Sequence, residues 1–373
     1  MGNPLKGAYY PASGRFLSRQ RVSSSIPGFA QVLIDWQTHH GRHGLPWQGT
    51  RDPYRIWLSE VMLQQTQVAT VIPYYLRFLE RFPDVAALAA AAPGEVAAAW
   101  AGLGYYSRAH NLHRCARKVV SEHGGQFPNS PETLATLPGI GRSTAAAIAA
   151  FAWDTRAAIL DGNVKRVLCR YFAVEGFPDS PAVLRRLWDL AESLLPGADC
   201  GRYAQALMDL GATICIRRHP TCERCPLAAG CVARARGLID HLPQPRPRRA
   251  LAERQATFVL VTDGEGVLVE RRPPGGIWGG LLVPPEGPPE AILAGLGMAG
   301  APCRPLPAMR QTFTHFRLVA TPVVCTVDGP PLAAGEPGRQ WLARSAVGEA
   351  ALPPLFRRLM QRPGRLDEAL GDQ

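Results

Sequence analysis

The sequence carries two hydrophobic periodicities that cannot belong to one layer of structure. From Phe29 to about Arg234 apolar residues recur at three- and four-residue steps, clearest in PYRIWLSEVMLQQTQVATVIPYYLRFLERF at 53–82, which is the spacing of amphipathic helices. Pro83, Pro93–Gly94, Pro128, Pro138–Gly139 and Pro196–Gly197 punctuate this region at helix-sized intervals. After position 255 the texture changes. QATFVLVTDGEGVLVERR reads as two strands around an Asp-Gly-Glu-Gly turn, and FRLVATPVVCTV at 316–327 reads as another strand. Between the two lies HLPQPRPRRALAER (241–254), whose prolines and arginines make an extended, charged spacer. The expectation is a multi-domain chain. A loose extension over 1–26 leads into an all-α domain over 27–234; a Pro/Arg-rich linker over 235–254 precedes a smaller α+β domain over 255–362, and 363–373 is a tail. No internal repeat of fixed period is present.

Charge narrows the partner. Lys and Arg number 41 against 30 Asp and Glu, a formal net charge of +11. This favours a polyanion, nucleic acid first, over a small acidic substrate. The most apolar long window, 85–104, is broken by Pro93, Gly94 and Glu95, so no membrane span is expected. Lys6 and Arg15 have no apolar run behind them, so no secretory signal is read.

The nine cysteines are an odd number, and four of them, Cys215, Cys222, Cys225 and Cys231, crowd into one short stretch. That distribution argues against a disulfide scaffold and for a reducing compartment with one metal or cluster site. Four thiolates so close together can surround one soft centre. Spacing alone leaves tetrahedral zinc and an iron–sulfur cluster both open. Cys115, Cys169, Cys200, Cys303 and Cys325 are scattered and read as buried small hydrophobes.

Three further stretches bear chemistry. In TLPGIGRSTAAAIAAF (136–151) a glycine-containing turn runs into an alanine-rich helix, with Ser143 or Thr144 expected to cap it. Amides at such a helix start suit an anion. In LDGNVKRVL (160–168) Asp161 precedes a short helix; it is either a plain N-cap or a carboxylate facing a developing cation. In SEVMLQQTQV (59–68) Glu60 lies on a face of apolar neighbours, where a carboxyl stays protonated near neutral pH. GLGYYSRA (102–109) adds two tyrosines and Arg108 on a Gly-rich turn, which suits base stacking and equally a core.

Together these residues resemble the helix-hairpin-helix DNA glycosylases that carry an iron–sulfur cluster. LPWQGTRDPYRIWLSEVMLQQTQVATVIPYYLRF, the GLGYYSRA turn and ILDGNVKRVL narrow the resemblance to the adenine DNA glycosylase (MutY-type) branch, over about 29–360. The resemblance implies a base-excision-repair enzyme that hydrolyses the glycosidic bond of adenine mispaired with 8-oxoguanine or guanine. Glu60 would protonate the adenine ring and Asp161 would stabilise the cationic sugar, a division of labour that other glycoside hydrolases also need. Cys215, Cys222, Cys225 and Cys231 would ligate a [4Fe–4S] cluster, with Arg217, Arg218 and Arg224 contacting phosphates. Gln64, Gln65 and Tyr105 match wedging residues, and Gly139, Gly141, Arg142 and Ser143 form the DNA-binding hairpin, which in the family also takes a monovalent cation. Trp47, Leu63 and Gln205 match the adenine pocket.

Related bifunctional enzymes hold a lysine at the position of Ser143. Serine forms no imine with the sugar, so base removal without strong strand cleavage is expected. The C-terminal domain resembles a Nudix module. Gly280 and Glu286 fit the start of the metal-binding signature, but its later Arg-Glu and Glu-Glu pairs are missing, which implies a lesion reader and not a hydrolase. Phe313, Thr314 and His315 match the loop that senses 8-oxoguanine, with Thr314 in place of the family serine. The implied partner is double-stranded DNA, and the implied protein is a monomer in the bacterial cytoplasm, on the nucleoid.

Overall fold

Several of the helices begin at a side-chain oxygen that caps the first turn. Asp52, Asp84, Ser130 and Asp161 each accept a hydrogen bond from a backbone N–H in the first turn of the helix that follows, and proline opens two of these four. In the computed structural model, which describes residues 28–246, 251–273, 276–313 and 315–361, all regular elements from Phe29 to Ala235 are helical. They are α1 (Phe29–His40), α2 (Pro53–Leu63), α3 (Val68–Arg81), α4 (Val85–Ala90), α5 (Pro93–Ala99), α6 (Ser107–His123), α7 (Pro131–Leu134), α8 (Arg142–Trp153), α9 (Gly162–Tyr171), α10 (Pro181–Ser193), α11 (Cys200–Thr213) and α12 (Val232–Ala235). The extension over 1–26 and the tail over 363–373 lie outside the described residues.

The helices form two lobes, each with its own core. One core gathers Trp57, Leu58, Met62, Tyr75, Phe78 and Trp100 from α2 to α5 and the turn after it; the other gathers Leu33, Val164, Leu168, Leu187, Leu207 and Leu210 from α1 and α9 to α11. Helix α8 belongs to both. Its Ala145, Ile148, Ala149 and Ala152 face the first core, and its Ala146, Ala147 and Ala150 face the second. A helix apolar all round is one buried all round. Alanine is what allows it here, because α2 and α11 pack against opposite sides of α8.

The sheet begins at Ala252, three residues before the expected boundary. Its strands are β1 (Ala252–Thr262), β2 (Gly266–Arg271), β3 (Leu282–Val283), β4 (Cys303–Pro305), β5 (Met309–Thr312), β6 (Phe316–Thr326) and β7 (Arg339–Ala343), with helices α13 (Pro289–Gly295) and α14 (Pro354–Met360). β1 and β6 run parallel along their whole length, from the pair Ala252–Phe316 to Thr262–Thr326, while the other pairings are antiparallel. Phe258 and Leu260 enter the core on one face and Val259 and Val261 the core on the other, as strand alternation requires. Both faces being covered explains the unbroken apolar run FVLV. Cys303 and Cys325, read from sequence as free buried residues, are instead disulfide-bonded neighbours across β4 and β6, and Cys303 is exposed. Sequence spacing could not pair them, because the register of β4 on β6 decides it. Ala97 and Tyr106 of the helical region pack against the core of this second domain.

Candidate active site

Between the two lobes, along α8 from Ser143 to its C-cap Asp154, lies a cleft of about 1630 Å³. Trp47, Glu60, Leu63, Gln64 and Gln65 line it from one side; Ser143, Asp161 and Gln205 complete the wall. The two carboxyls, a hundred residues apart in sequence, thus share one cavity.

Their environments differ. Glu60 sits on α2, whose neighbouring residues Trp57, Ser59, Val61 and Met62 are buried, and no hydrogen-bond donor among the described residues reaches its carboxyl. Burial, first, and the nearby Asp161 charge, second, push its pKa up to about 8. Asp161 is the N-cap of α9 and accepts from the Val164 N–H at 2.7 Å. Burial raises its pKa too, but the Val164 and Asn163 amides and the Arg166 and Lys165 cations pull the other way. Asp161 is therefore the N-cap that one of its two sequence readings expected, and it also lines the cleft.

Ser143 does not cap α8, and neither does Thr144. Gly141 is the N-cap, without a side-chain bond, and the helix starts at Arg142. The Ser143 hydroxyl instead accepts a hydrogen bond from the Leu160 N–H at 2.9 Å, tethering the residue before Asp161. Gly139 sits at φ 78°, and a Cβ there would lie 2.8 Å from Asn111 Cβ, so both the dihedral and the space demand glycine. Arg142 stacks on Trp188 with its guanidinium carbon 3.8 Å from the ring centroid and pairs with Glu192. Its charge is engaged within the protein while its side chain stays largely exposed.

The two turns expected to carry wedges are strained. Gln65 and Tyr105 have φ of 56° and 48°, and Tyr105 is 53 % exposed. Arg108, which sequence placed beside stacking aromatics, is buried beneath them. Its guanidinium donates to the carbonyls of Val61, Met62, Gln64, Leu103 and Gly104 and to Thr66 Oγ1, at 2.7–3.2 Å. One cation therefore ties together the turn at 64–66 and the turn at 103–105. Sequence could not assign it this role, because five of its six acceptors are backbone carbonyls.

The four clustered cysteines line one small cavity. Burial pushes the Cys225 thiol up to about 11 and raises that of Cys222, with the neighbouring sulfurs adding to both. Beside them the buried Arg170 donates to the carbonyls of Ile216, Arg217 and Leu242 and reaches Cys215 Sγ at 3.4 Å. Arg166 donates to the Cys215 carbonyl at 2.7 Å and to Asn163 Oδ1 at 2.8 Å, joining the cysteine loop to the helix that Asp161 caps. Arg217, Arg218 and Arg224 are exposed.

In the second domain Glu286, the carboxylate of the fragmentary metal signature, forms ion pairs with Arg254 and Arg272. Phe313 is half-buried, stacked on Phe316 and edge-on to Trp278, whereas His315 is exposed. Thr314 lies outside the described residues.

Known proteins agree with this division. Residues 58–193 match the model of the HhH-GPD superfamily of base excision DNA repair proteins, and residues 256–362 match the NUDIX domain. An adenine DNA glycosylase of Mus musculus is 36% identical over 91% of this chain and 78% of its own length. That of Homo sapiens is 35% identical over 92% of this chain and 76% of its own length. One from Buchnera aphidicola is 38% identical over 69% of this chain and 73% of its own. A solved thermostable thymine-DNA glycosylase superposes with a TM-score of 0.51 at 32% identity, covering 56% of this chain and 95% of that one. With a helical glycosylase domain, a Nudix-like domain behind it and relatives of this likeness across both, the chain belongs to the adenine DNA glycosylases of the helix-hairpin-helix superfamily.

Proposed function

We propose that this enzyme hydrolyses the N-glycosidic bond of adenine opposite 8-oxoguanine or guanine in duplex DNA, without cutting the strand. The observation that carries the reading is the pair Glu60 and Asp161, contributed by different lobes to one cleft, with the pKa of Glu60 pushed up to about 8. At neutral pH Glu60 holds a proton and gives it to a ring nitrogen of adenine. The base leaves neutral, and the sugar left behind is cationic at C1′. Asp161 stabilises that cation, and water then adds to it.

Ser143 supports hydrolysis over strand scission. Its hydroxyl is committed to the Leu160 N–H, and it has no amine with which to form an imine. For the chemistry to occur the nucleotide must leave the stack, at a cost of a few kcal/mol. Tyr105, Gln64 and Gln65 would fill the gap, with Gly139, Gly141 and Arg142 near the phosphates. Trp47, Leu63 and Gln205 would hold the base, and Phe313, Thr314 and His315 would read the opposite strand.

Cys215, Cys222, Cys225 and Cys231 fit a [4Fe–4S] cluster. Their four side chains line one small cavity, and four thiolates are the ligand set that such a cluster takes. Crowded thiolates also need a positive centre to stay ionised. The cluster would hold the loop that presents Arg217, Arg218 and Arg224 to DNA. No helix among the described residues is long and apolar enough to cross a membrane, and the enzyme would work on DNA as a monomer.

The test is a single-turnover assay on duplexes differing only in the base opposite adenine, with and without alkali. Strand breaks that appear only after alkali, fastest opposite 8-oxoguanine, are expected. Breaks without alkali, or an enzyme trapped on DNA by borohydride, would refute hydrolysis without lyase action.

A further inference from the structure

Asp209 is fully buried on α11, one helical turn beyond Gln205. Its Oδ1 accepts from Arg42 Nε at 2.7 Å and from Gln205 Nε2 at 2.9 Å; its Oδ2 accepts from the Arg42 backbone N–H at 3.0 Å. Arg42 opens the loop that leads to Trp47, and that loop is closed on itself by Gln48, which accepts from the Leu45 N–H and donates to the Arg42 carbonyl. The Asp209–Arg42 pair thus fastens one wall of the cleft to the helix that carries Gln205.

The chemistry of the pair has a second effect. An ion-paired carboxylate only accepts, so the corner of the Gln205 amide that meets Asp209 must be its NH2. The carbonyl oxygen is then the corner left for the cleft, and among the described residues nothing donates to it. We infer that Asp209 is a positioning residue that orients the Gln205 amide, so that the cleft presents an acceptor to the exocyclic amino group of a 6-aminopurine and repels a keto oxygen at the same place. This rests on the glycosylase reading given above and adds the residue that fixes which end of the Gln205 amide faces the base.

The experiment measures single-turnover release of adenine, of unsubstituted purine and of hypoxanthine from duplexes otherwise identical. It compares the full-length wild type with Asp209→Asn, Gln205→Leu and the double variant. In Asp209→Asn the side chain has one acceptor oxygen where two donors of Arg42 and one of Gln205 compete, so the amide is released. The adenine-to-purine rate ratio should fall about tenfold, the worth of one hydrogen bond to a buried partner, and the hypoxanthine-to-adenine ratio should rise. In the Gln205→Leu background the same substitution should change either ratio less than twofold, since Asp209 acts through Gln205. Asp209→Ser, which also frees the amide, gives the same ratios if Asp209→Asn does not fold. Proportional loss on all three bases, or effects that multiply in the double variant, would overturn the inference. A wild type that releases none of the three bases would instead overturn the glycosylase reading beneath it.

Discussion

Replacing Glu60 with Gln should kill base release and, at high pH, make the protein more stable. The pKa of Glu60 stands at about 8 against an ordinary 4.5. A carboxyl whose folded-state pKa exceeds its unfolded value favours the folded state only while protonated. Its contribution is complete below pH 4.5 and is lost as pH rises from 4.5 to about 8. At about 1.4 kcal/mol per unit the loss approaches 5 kcal/mol, a ceiling that water in the cleft lowers. Glutamine stays neutral throughout. Urea unfolding of the two proteins should therefore give nearly equal stabilities at pH 5 and a variant more stable by a few kcal/mol at pH 9. Single-turnover adenine release by the wild type should fall about tenfold per unit above pH 8, following the protonated fraction of Glu60. A stability difference equal at both pH values would show that Glu60 is not held in its acid form. Base release surviving in the variant would remove it from the chemistry altogether.

Ser143→Ala leaves the Leu160 N–H without its acceptor. A loss of about 1–3 kcal/mol by urea unfolding and a several-fold slower single-turnover rate should follow, since slack enters next to Asp161. Arg108→Lys cannot reach all six acceptors with three donors, so amide hydrogen exchange at 64–66 and 103–105 should accelerate even where the global melting temperature holds. Unchanged protection there would mean that the two turns do not depend on this guanidinium. Cys222→Ser should abolish visible absorbance and iron content and weaken duplex binding; a colourless wild type with stoichiometric zinc would overturn the cluster assignment.

Much of the fold was legible because periodicity is written in the sequence. The helical stretch 53–82 and the strands around Asp263–Gly266 appear where the apolar spacing changes. Glu60 was legible by its apolar neighbours and Asp161 by its place before a helix, and the resemblance joined them. The groups that stayed hidden act through backbone atoms or through register. The acceptors of Arg108 and Arg166 are mostly carbonyls, which every residue has. The tether from Ser143 goes to an amide seventeen residues on. Asp209 looks like any polar residue in a helix until Arg42 arrives from a loop 167 positions earlier. The pairing of Cys303 with Cys325 depends on how β4 registers against β6, which no spacing rule encodes.

The alanines of α8 set a length scale for the chemistry. Glu60 belongs to one lobe and Asp161 to the other, so the packing of α8 between the two cores helps set how far apart the walls of their shared cleft stand. The single-carbon side chains of the α8 alanines let the neighbouring helices approach closely on both sides. A valine at Ala146 or Ala149, each buried in one of the two cores, would jack the lobes apart and widen the cleft that Glu60 and Asp161 line.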